Sequence, residues 1–198
     1  YINKFKTGKV LQNADNLTIV GSPFAMLMYA TGQDPLEDPT CAVEEGVIQC
    51  WTNRFADGEY LAEFRNPFNS EYNMGYLHNT YDYRFDEYFD LGDLCIAINM
   101  NHTDFQSRNN GADQDSDSIY VTNSEPIVKH AKHCYLNRPT IVNNVPQDKS
   151  IYSSSMTDFA IVDNKLANSQ LSIGMSSNLA QVALSYSHSM TDKKYLEI

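Results

Sequence analysis

Short runs of apolar residues, each of strand length, follow one another along the first two-thirds of the chain. They occupy residues 17–20, 46–51, 59–64, 94–98 and 118–122. Turn-forming residues separate several of them, as at Asp57-Gly58. Short β-type segments between turns are typical of a β-rich domain, so we predict a compact, barrel-like β region over about residues 40–125.

Two further segments have the pattern of helices. Residues 23–30 are apolar and follow Ser22, a favoured N-cap residue, with Pro23 in the first turn. From Asp163 onward, a stripe with the spacing i, i+3, i+4 and i+7 predicts a helix near residues 165–190 that packs against the β region. The stripe consists of Leu179, Val182, Ala183 and Tyr186.

These patterns together predict an α+β protein in three parts. Residues 1–39 would hold an N-terminal strand and helix, and residues 40–135 a β-barrel region. Residues 136–198 would hold a loop and a helical region. The chain has 198 residues, which is enough for one or two domains.

Three aspartates at a spacing of two are the most informative chemical feature. Asp113, Asp115 and Asp117 stand directly before the apolar run at residues 118–122. In an extended segment their carboxylates point to one face, where they repel one another unless a cation lies between them. Mg²⁺ prefers oxygen ligands, so the pattern predicts a site for Mg²⁺, or for Mn²⁺, of the kind used in nucleotidyl transfer.

A solvated turn is the alternative interpretation, because Asp, Ser, Asn and Gly are also common turn residues. The flanking apolar runs favour the metal site, since a loop held between two buried strands is positioned. An EF-hand is excluded, because a loop that began at Asp113 would need Gly and Glu where Ser118 and Ser124 stand.

The charge of the chain opposes nucleic-acid binding by this chain alone. It has 14 Lys and Arg against 25 Asp and Glu, a formal net charge of −11, whereas surfaces that hold nucleic acid are basic. The acidic stretch from Asp82 to Asp93 is typical of a solvated face, or of a docking surface for a partner or cation.

No apolar run approaches the roughly 18 residues of a membrane span. Because the first residue is Tyr1, we interpret the chain as a fragment.

The cysteines and histidines give weaker indications of a disulfide or a metal site. The four cysteines are Cys41, Cys50, Cys95 and Cys134. None forms a C-x-x-C pair, and reduced thiols and a cytoplasmic location are expected, although a Cys41–Cys50 bridge across a hairpin stays open. His130, His133 and Cys134 are close together, but zinc needs a fourth ligand, and an ordinary polar helix or loop is the better interpretation.

The aspartates and their neighbours resemble the active-site signature of RNA polymerases built on double-psi β-barrels. The large subunit of multisubunit RNA polymerases carries Ala-Asp-x-Asp-Gly-Asp before a strand, and residues 112–117 read Ala-Asp-Gln-Asp-Ser-Asp. Residues 65–67, Arg-Asn-Pro, are similar to a motif of the silencing-type RNA-dependent RNA polymerases. Residues 174–178, Gly-Met-Ser-Ser-Asn, resemble the Gly-x-x-Ser-Asn helix of the same enzymes. The motifs stand in the family's order.

This resemblance implies a double-psi β-barrel-like region followed by a helical segment. Asp113, Asp115 and Asp117 would be catalytic and hold Mg²⁺, and Arg65 would approach the incoming nucleotide or the primer end. A structural ion pair is the alternative role of Arg65. Nucleoside triphosphates and an RNA or DNA template are expected as partners only together with the rest of the polymerase. The rest would include a second, lysine-bearing barrel on the same or another chain.

The chain departs from the family at two positions of the signature. Ser116 stands where the family has Gly, and Gly111 stands where it has Asn. With the acidic charge, these departures keep two other classes open. One is a non-catalytic, polymerase-like module that binds a metal or a partner protein, and the other is a β-rich domain with an Asp loop. The intact Asp motif favours the enzyme, as a fragment that is inactive alone.

Overall fold

The computed structural model describes residues 2–7, 9, 11–142 and 149–189. Six strands in this part of the chain close into a barrel. They are β1 (Ala14–Val20), β2 (Ile48–Trp51), β3 (Tyr60–Phe64), β4 (Gly75–Asn79), β5 (Cys95–Ile98) and β6 (Ser118–Thr122). Their order around the barrel is β1-β5-β2-β4-β3-β6.

The strand pairing repeats itself within the barrel. β1 pairs in parallel with β5, and β2 with β4, whereas the other neighbours are antiparallel. Exchanging β1, β2 and β3 for β4, β5 and β6 reproduces each pairing and its direction, so the topology has an approximate twofold symmetry. This connectivity is compatible with a double-psi β-barrel, and the predicted α+β class is confirmed.

Apolar side chains at every second strand position fill the barrel, because successive strand residues point to opposite faces. The strand residues of this core are Leu17, Ile19, Ile48, Cys50, Leu61, Leu77, Ile96, Ile98, Ile119 and Val121. Burial of each large aliphatic side chain contributes about 1.5–3 kcal/mol. Leu17 and Ile19 belong to the stretch that the sequence analysis placed in residues 1–39, and the structure includes their strand in the barrel.

A second cluster lies on the outer face of the barrel. Phe24, Trp51, Phe85 and Ala97 are buried there, and the rings of Trp51 and Phe85 stack with centroids 4.5 Å apart. Phe24 comes from α2 (Pro23–Ala30) and Phe85 from α3 (Tyr83–Tyr88). The aromatic-rich stretch around Phe85 therefore contributes to packing.

The α-helices lie before, between and after the strands. Besides α2 and α3 they are α1 (Ile2–Lys6), α4 (Phe105–Arg108), α5 (Glu125–Asn137) and α6 (Met156–Ser189). α2 begins as predicted, since the Ser22 hydroxyl accepts a hydrogen bond from the Ala25 amide. α5 packs on β3 and β4.

The chain divides into two compact units, of which the first holds residues 1–66 and 71–141 and the second holds residues 67–70 and 142–198. α6 is part of the second unit, and it confirms the predicted helix while beginning earlier than Asp163. Leu179, Val182 and Tyr186 of the predicted stripe are exposed. The packing of this helix against the barrel stays a prediction.

The four cysteines are free thiols, so no bridge joins Cys41 to Cys50 in the structure. Cys50 and Cys134 are buried, whereas Cys95 is only partly buried. In the residues that the structure describes, no helix combines the length and the apolar character that a membrane span requires.

Candidate metal centre

The three aspartates lie in the connection from α4 to β6, which we call the aspartate loop (residues 109–117). Ala112 in its middle is buried in the barrel core. The carbonyl oxygen of Asp117 accepts a hydrogen bond of 2.9 Å from the Ile19 amide of β1. The loop is therefore held at its centre and at its end, as the flanking apolar runs predicted.

The carboxylates of Asp113, Asp115 and Asp117 converge. One oxygen of each lies within 4.8 Å of the other two. The segment is not extended, because the backbone bends at residues 114–116 and Ser116 has a φ of 101°. A turn, rather than strand alternation, brings the three side chains together.

The surroundings of Asp115 and Asp117 shift the pKa values of these two groups in opposite directions. Asp113 raises the pKa of Asp115 through a side-chain hydrogen bond and through charge repulsion. The pKa of Asp117 is lowered, first by the Asp113 amide, which donates a 3.1 Å hydrogen bond, and also by Arg65. One carboxyl of the group thus tends to keep a proton that a cation would displace.

The donor set fits a hard divalent cation. All three groups offer oxygen, and metal–oxygen distances of about 2.0–2.1 Å place ligand oxygens of an octahedral Mg²⁺ about 3–4 Å apart. Oxygens within 4.8 Å need only a small closure of the loop to reach that spacing. In the described part of the chain, this is the one group of three or more His, Cys, Asp or Glu side chains close enough to hold a metal.

Arg65 follows the last residue of β3 and reaches the same site. Its Nη2 atom donates to Asp117 Oδ1 at 2.6 Å, and its Nη1 atom donates to the carbonyl oxygen of Asn109 at 3.4 Å. The ion pair is the alternative role that the sequence analysis gave to Arg65. Its contact with a nucleotide stays a prediction.

A polar cleft of about 310 Å³ opens beside Arg65 and Asp117. Its walls include the rings of Phe64 and Tyr120, whose centroids are 4.7 Å apart. The remaining lining residues are Asn16, Asn66, Ser116 and Ser118. The cleft offers amide and hydroxyl groups next to one cation and one carboxylate, a combination suited to a polar ligand.

The start of the aspartate loop is buried and densely hydrogen-bonded. Arg108 donates to the Tyr72 carbonyl at 2.8 Å and forms an ion pair with Asp104. The Asn73 side chain donates from Nδ2 to the Arg108 carbonyl at 2.7 Å. This network fixes the backbone from which the loop departs.

Glu63 is a residue of this site that the sequence analysis missed. It is fully buried, and its Oε1 atom accepts a 2.9 Å hydrogen bond from the Asn109 side chain. Burial raises the pKa of Glu63 to about 8. The signal in the sequence is weak but present, because Glu63 stands two residues after the core residue Leu61 and so faces the barrel interior.

Gly75 makes room for this carboxyl. It is the register partner of Glu63 on β4, and a Cβ atom at Gly75 would lie 1.9 Å from Glu63 Oε1. A side chain at position 75 is therefore incompatible with Glu63 in its present place.

Two other motifs of the first unit contribute no side chain to the group of carboxylates. His130 and Cys134 lie one turn apart on α5, with 3.5 Å between Nε2 and Sγ, as expected for an ordinary polar helix. Residues 174–178 lie within α6 of the second unit, and we assign them no chemistry. The acidic stretch from Asp82 includes an ion pair with Arg84.

No protein-family model matches the chain, no curated protein matches it, and no solved structure matches it. What the protein does is therefore inferred from the barrel and from the side chains at the aspartate loop.

Proposed function

We propose that the chain carries the catalytic barrel of an RNA-polymerase-type nucleotidyltransferase, which uses Mg²⁺ to make RNA from nucleoside triphosphates when the rest of the polymerase is present. One observation carries the proposal. The Asp motif and the Arg-Asn-Pro motif resemble the family separately in sequence, and Arg65 of the second motif binds Asp117 of the first.

In this proposal the aspartates bind the metal and Arg65 orients the substrate. Asp113, Asp115 and Asp117 would hold Mg²⁺, or Mn²⁺, and Asp115 would release its proton on binding. Bound Mg²⁺ would supply charge stabilisation at the reacting phosphate and activate an RNA 3′-hydroxyl. Arg65, at the wall of the polar cleft, would orient the incoming nucleotide or the primer end.

The same centre is incomplete for polymerisation by itself. Arg65 is the only cation among the described residues that line the cleft, and the formal net charge of −11 repels nucleic acid. A second barrel that supplies lysines, and a template-binding channel, would have to come from elsewhere in the enzyme.

These two observations also favour a second candidate, a non-catalytic polymerase-like module. Such a module would keep the barrel and bind a metal or a partner protein without transferring nucleotides. The converged carboxylates are common to both candidates, so metal binding alone does not separate them.

The separating experiment is primer extension by the full-length gene product. Incorporation of nucleoside triphosphates into RNA should require Mg²⁺, and Asp113→Ala, Asp115→Ala and Asp117→Ala should each abolish it, because a lost ligand removes several kcal/mol of charge stabilisation. Asp93→Ala changes an exposed carboxylate of the acidic stretch and should leave extension unchanged. A folded full-length protein that makes no polymer on primed or unprimed templates refutes the enzyme and leaves the module.

A further inference from the structure

Glu63 is an unfavourable residue for the interior of a barrel. It is fully buried, and its Oε2 atom has no hydrogen-bond partner within the described structure. An unsatisfied buried polar atom destabilises a fold, and Gly75 has to remain without a side chain to accommodate the carboxyl. An apolar residue at position 63 would avoid the unsatisfied oxygen, which indicates that the carboxyl has a role other than packing.

Its one hydrogen bond indicates that role. The Asn109 side chain donates to Glu63 Oε1 at 2.9 Å and to the Phe105 carbonyl at 3.2 Å, and Asn109 is fully buried. Asn109 is the first residue of the aspartate loop. Glu63 thus connects the inner wall of the barrel to the point where the loop begins.

From Asn109 the contacts continue to the carboxylates. The Asn109 carbonyl accepts a hydrogen bond from Arg65, and Arg65 binds Asp117. Glu63 and Arg65 stand two residues apart at the end of β3, so this strand end holds both the start and the end of the loop.

We propose that Glu63 is a positioning residue of the metal centre, and that its carboxyl holds Asn109 so that the aspartate loop keeps the geometry that binds a divalent cation. The proposal rests on the proposed function in so far as the loop binds a cation. Ionisation of Glu63 would place a charge in the barrel interior, and admission of water to that charge would loosen the loop.

The charged and titratable groups around Glu63 are compatible with this role. Arg108 lowers its pKa and Asp104 raises it, both from the side of α4. Cys50 of β2 and Tyr135 of α5 also face it, and burial raises the pKa of each, so they stay neutral while Glu63 titrates.

Hydrogen exchange and Mn²⁺ titration of the whole chain test the proposal together. At pH 7, Glu63→Leu should lower the protection of amides in residues 109–117 by about tenfold or more, and should weaken Mn²⁺ binding by a factor of about 10–100, as loss of an outer partner does. Glu63→Gln keeps an acceptor for Asn109, so it should protect the loop amides at least as well as the parent and stay within about twofold of the parent in Mn²⁺ affinity. Phe85→Leu loosens the separate outer cluster and should leave the loop amides unchanged.

A pH series keeps the test decisive if Glu63→Leu does not fold. In the parent chain the protection of residues 109–117, corrected for the intrinsic exchange rate, should fall as the pH rises from the ordinary carboxyl range to about 8 and then level off, and Glu63→Gln should abolish this fall.

Unchanged loop protection in Glu63→Leu, an equal loss in Phe85→Leu, or the same pH series in parent and Glu63→Gln would each overturn the positioning role. Absence of saturable Mn²⁺ binding by the parent would instead refute the metal centre of the proposed function, whatever the exchange data show.

Discussion

Arg65 and Asp117 are 52 residues apart in sequence, and their side chains form a hydrogen-bonded ion pair 2.6 Å long. The pair joins the end of β3 to the start of β6, and it joins the two sequence motifs that resemble RNA polymerases. Because each side chain keeps a fifth to a quarter of its exposure, the pair is partly screened by solvent.

Arg65→Met should lower the free energy of unfolding at pH 7 by about 1 kcal/mol at most, the upper range for pairs that solvent reaches. The folded-state pKa of Asp117 is lowered, so this contribution is present above the ordinary carboxyl range and is lost as the pH falls through the folded-state pKa. Urea unfolding of parent and variant at pH 7 and near pH 2 measures this contribution. If the difference in free energy of unfolding between them were larger near pH 2 than at pH 7, the ion pair would not be its cause. Lys129→Met, which breaks the exposed pair with Glu125 on α5, is the control.

Asp115→Asn should separate metal binding from stability. It removes the repulsion that raises the pKa of Asp115, so the metal-free variant should be at least as stable as the parent. Mn²⁺ affinity should fall by about 100-fold or more, because loss of even an outer partner costs 10–100-fold. Isothermal titration at several pH values is the measurement. Parent affinity should rise with pH through the raised pKa, as the cation displaces the proton, and equal affinity in the variant would identify the loop as an ordinary turn.

Ser116→Gly should stabilise the protein by about 1 kcal/mol, because Ser116 has a φ of 101°, where a Cβ atom is strained and glycine is not. The polymerase signature has Gly at this position, so the strain follows directly from one departure in sequence. Ser116→Ala keeps the Cβ atom and should show no such gain. Equal urea midpoints for Ser116→Gly and Ser116→Ala would mean that the backbone at this position is not under strain.

The sequence predicted those parts of the fold and the site that depend on local pattern. The run at residues 118–122 became β6 with the same bounds, and Ser22 caps α2 as its position indicated. For the segment that forms α5 the sequence left a polar helix and a loop open, because this helix buries only Ala131 and Cys134 and therefore lacks a long apolar stripe.

What the sequence could not indicate depends on distant contacts. Closure of the barrel requires β1 to pair with both β5 and β6, and no local pattern specifies such partners. The role of Glu63 is likewise invisible without Gly75 and Asn109, its neighbours on β4 and in the aspartate loop.

Gly75→Ala should destabilise the barrel by about 1–3 kcal/mol or more, because the new Cβ atom would lie 1.9 Å from Glu63 Oε1. Glu63→Ala in the same chain removes the colliding atoms and should recover part of that loss, which a double-mutant cycle by urea unfolding measures. Gly174→Ala, where a Cβ atom meets nothing within 4 Å, should be neutral or stabilising. Additive losses for Gly75→Ala and Glu63→Ala would show that the two positions do not compete for space.

Glu63→Gln should stabilise the protein increasingly as the pH rises. The carboxyl has a pKa of about 8 in the folded state against an ordinary value of 4.5, so the unfolded chain releases the proton first and the parent loses stability between these two values. The two pKa values differ by about 3.5 units, and each unit corresponds to about 1.4 kcal/mol. The free energies of unfolding of variant and parent can therefore differ by roughly 5 kcal/mol at most, and we call this difference the gap. Urea unfolding from pH 4 to 9 should show a gap near zero at pH 4 that widens to about pH 8 and then stays level.

Glu125→Gln is the matched control, and its effect should have the opposite sign. Lys129 lowers the pKa of Glu125, so the parent should be the more stable chain above the carboxyl range. A gap for Glu63→Gln that does not change with pH would mean that folding leaves the pKa of Glu63 at its ordinary value.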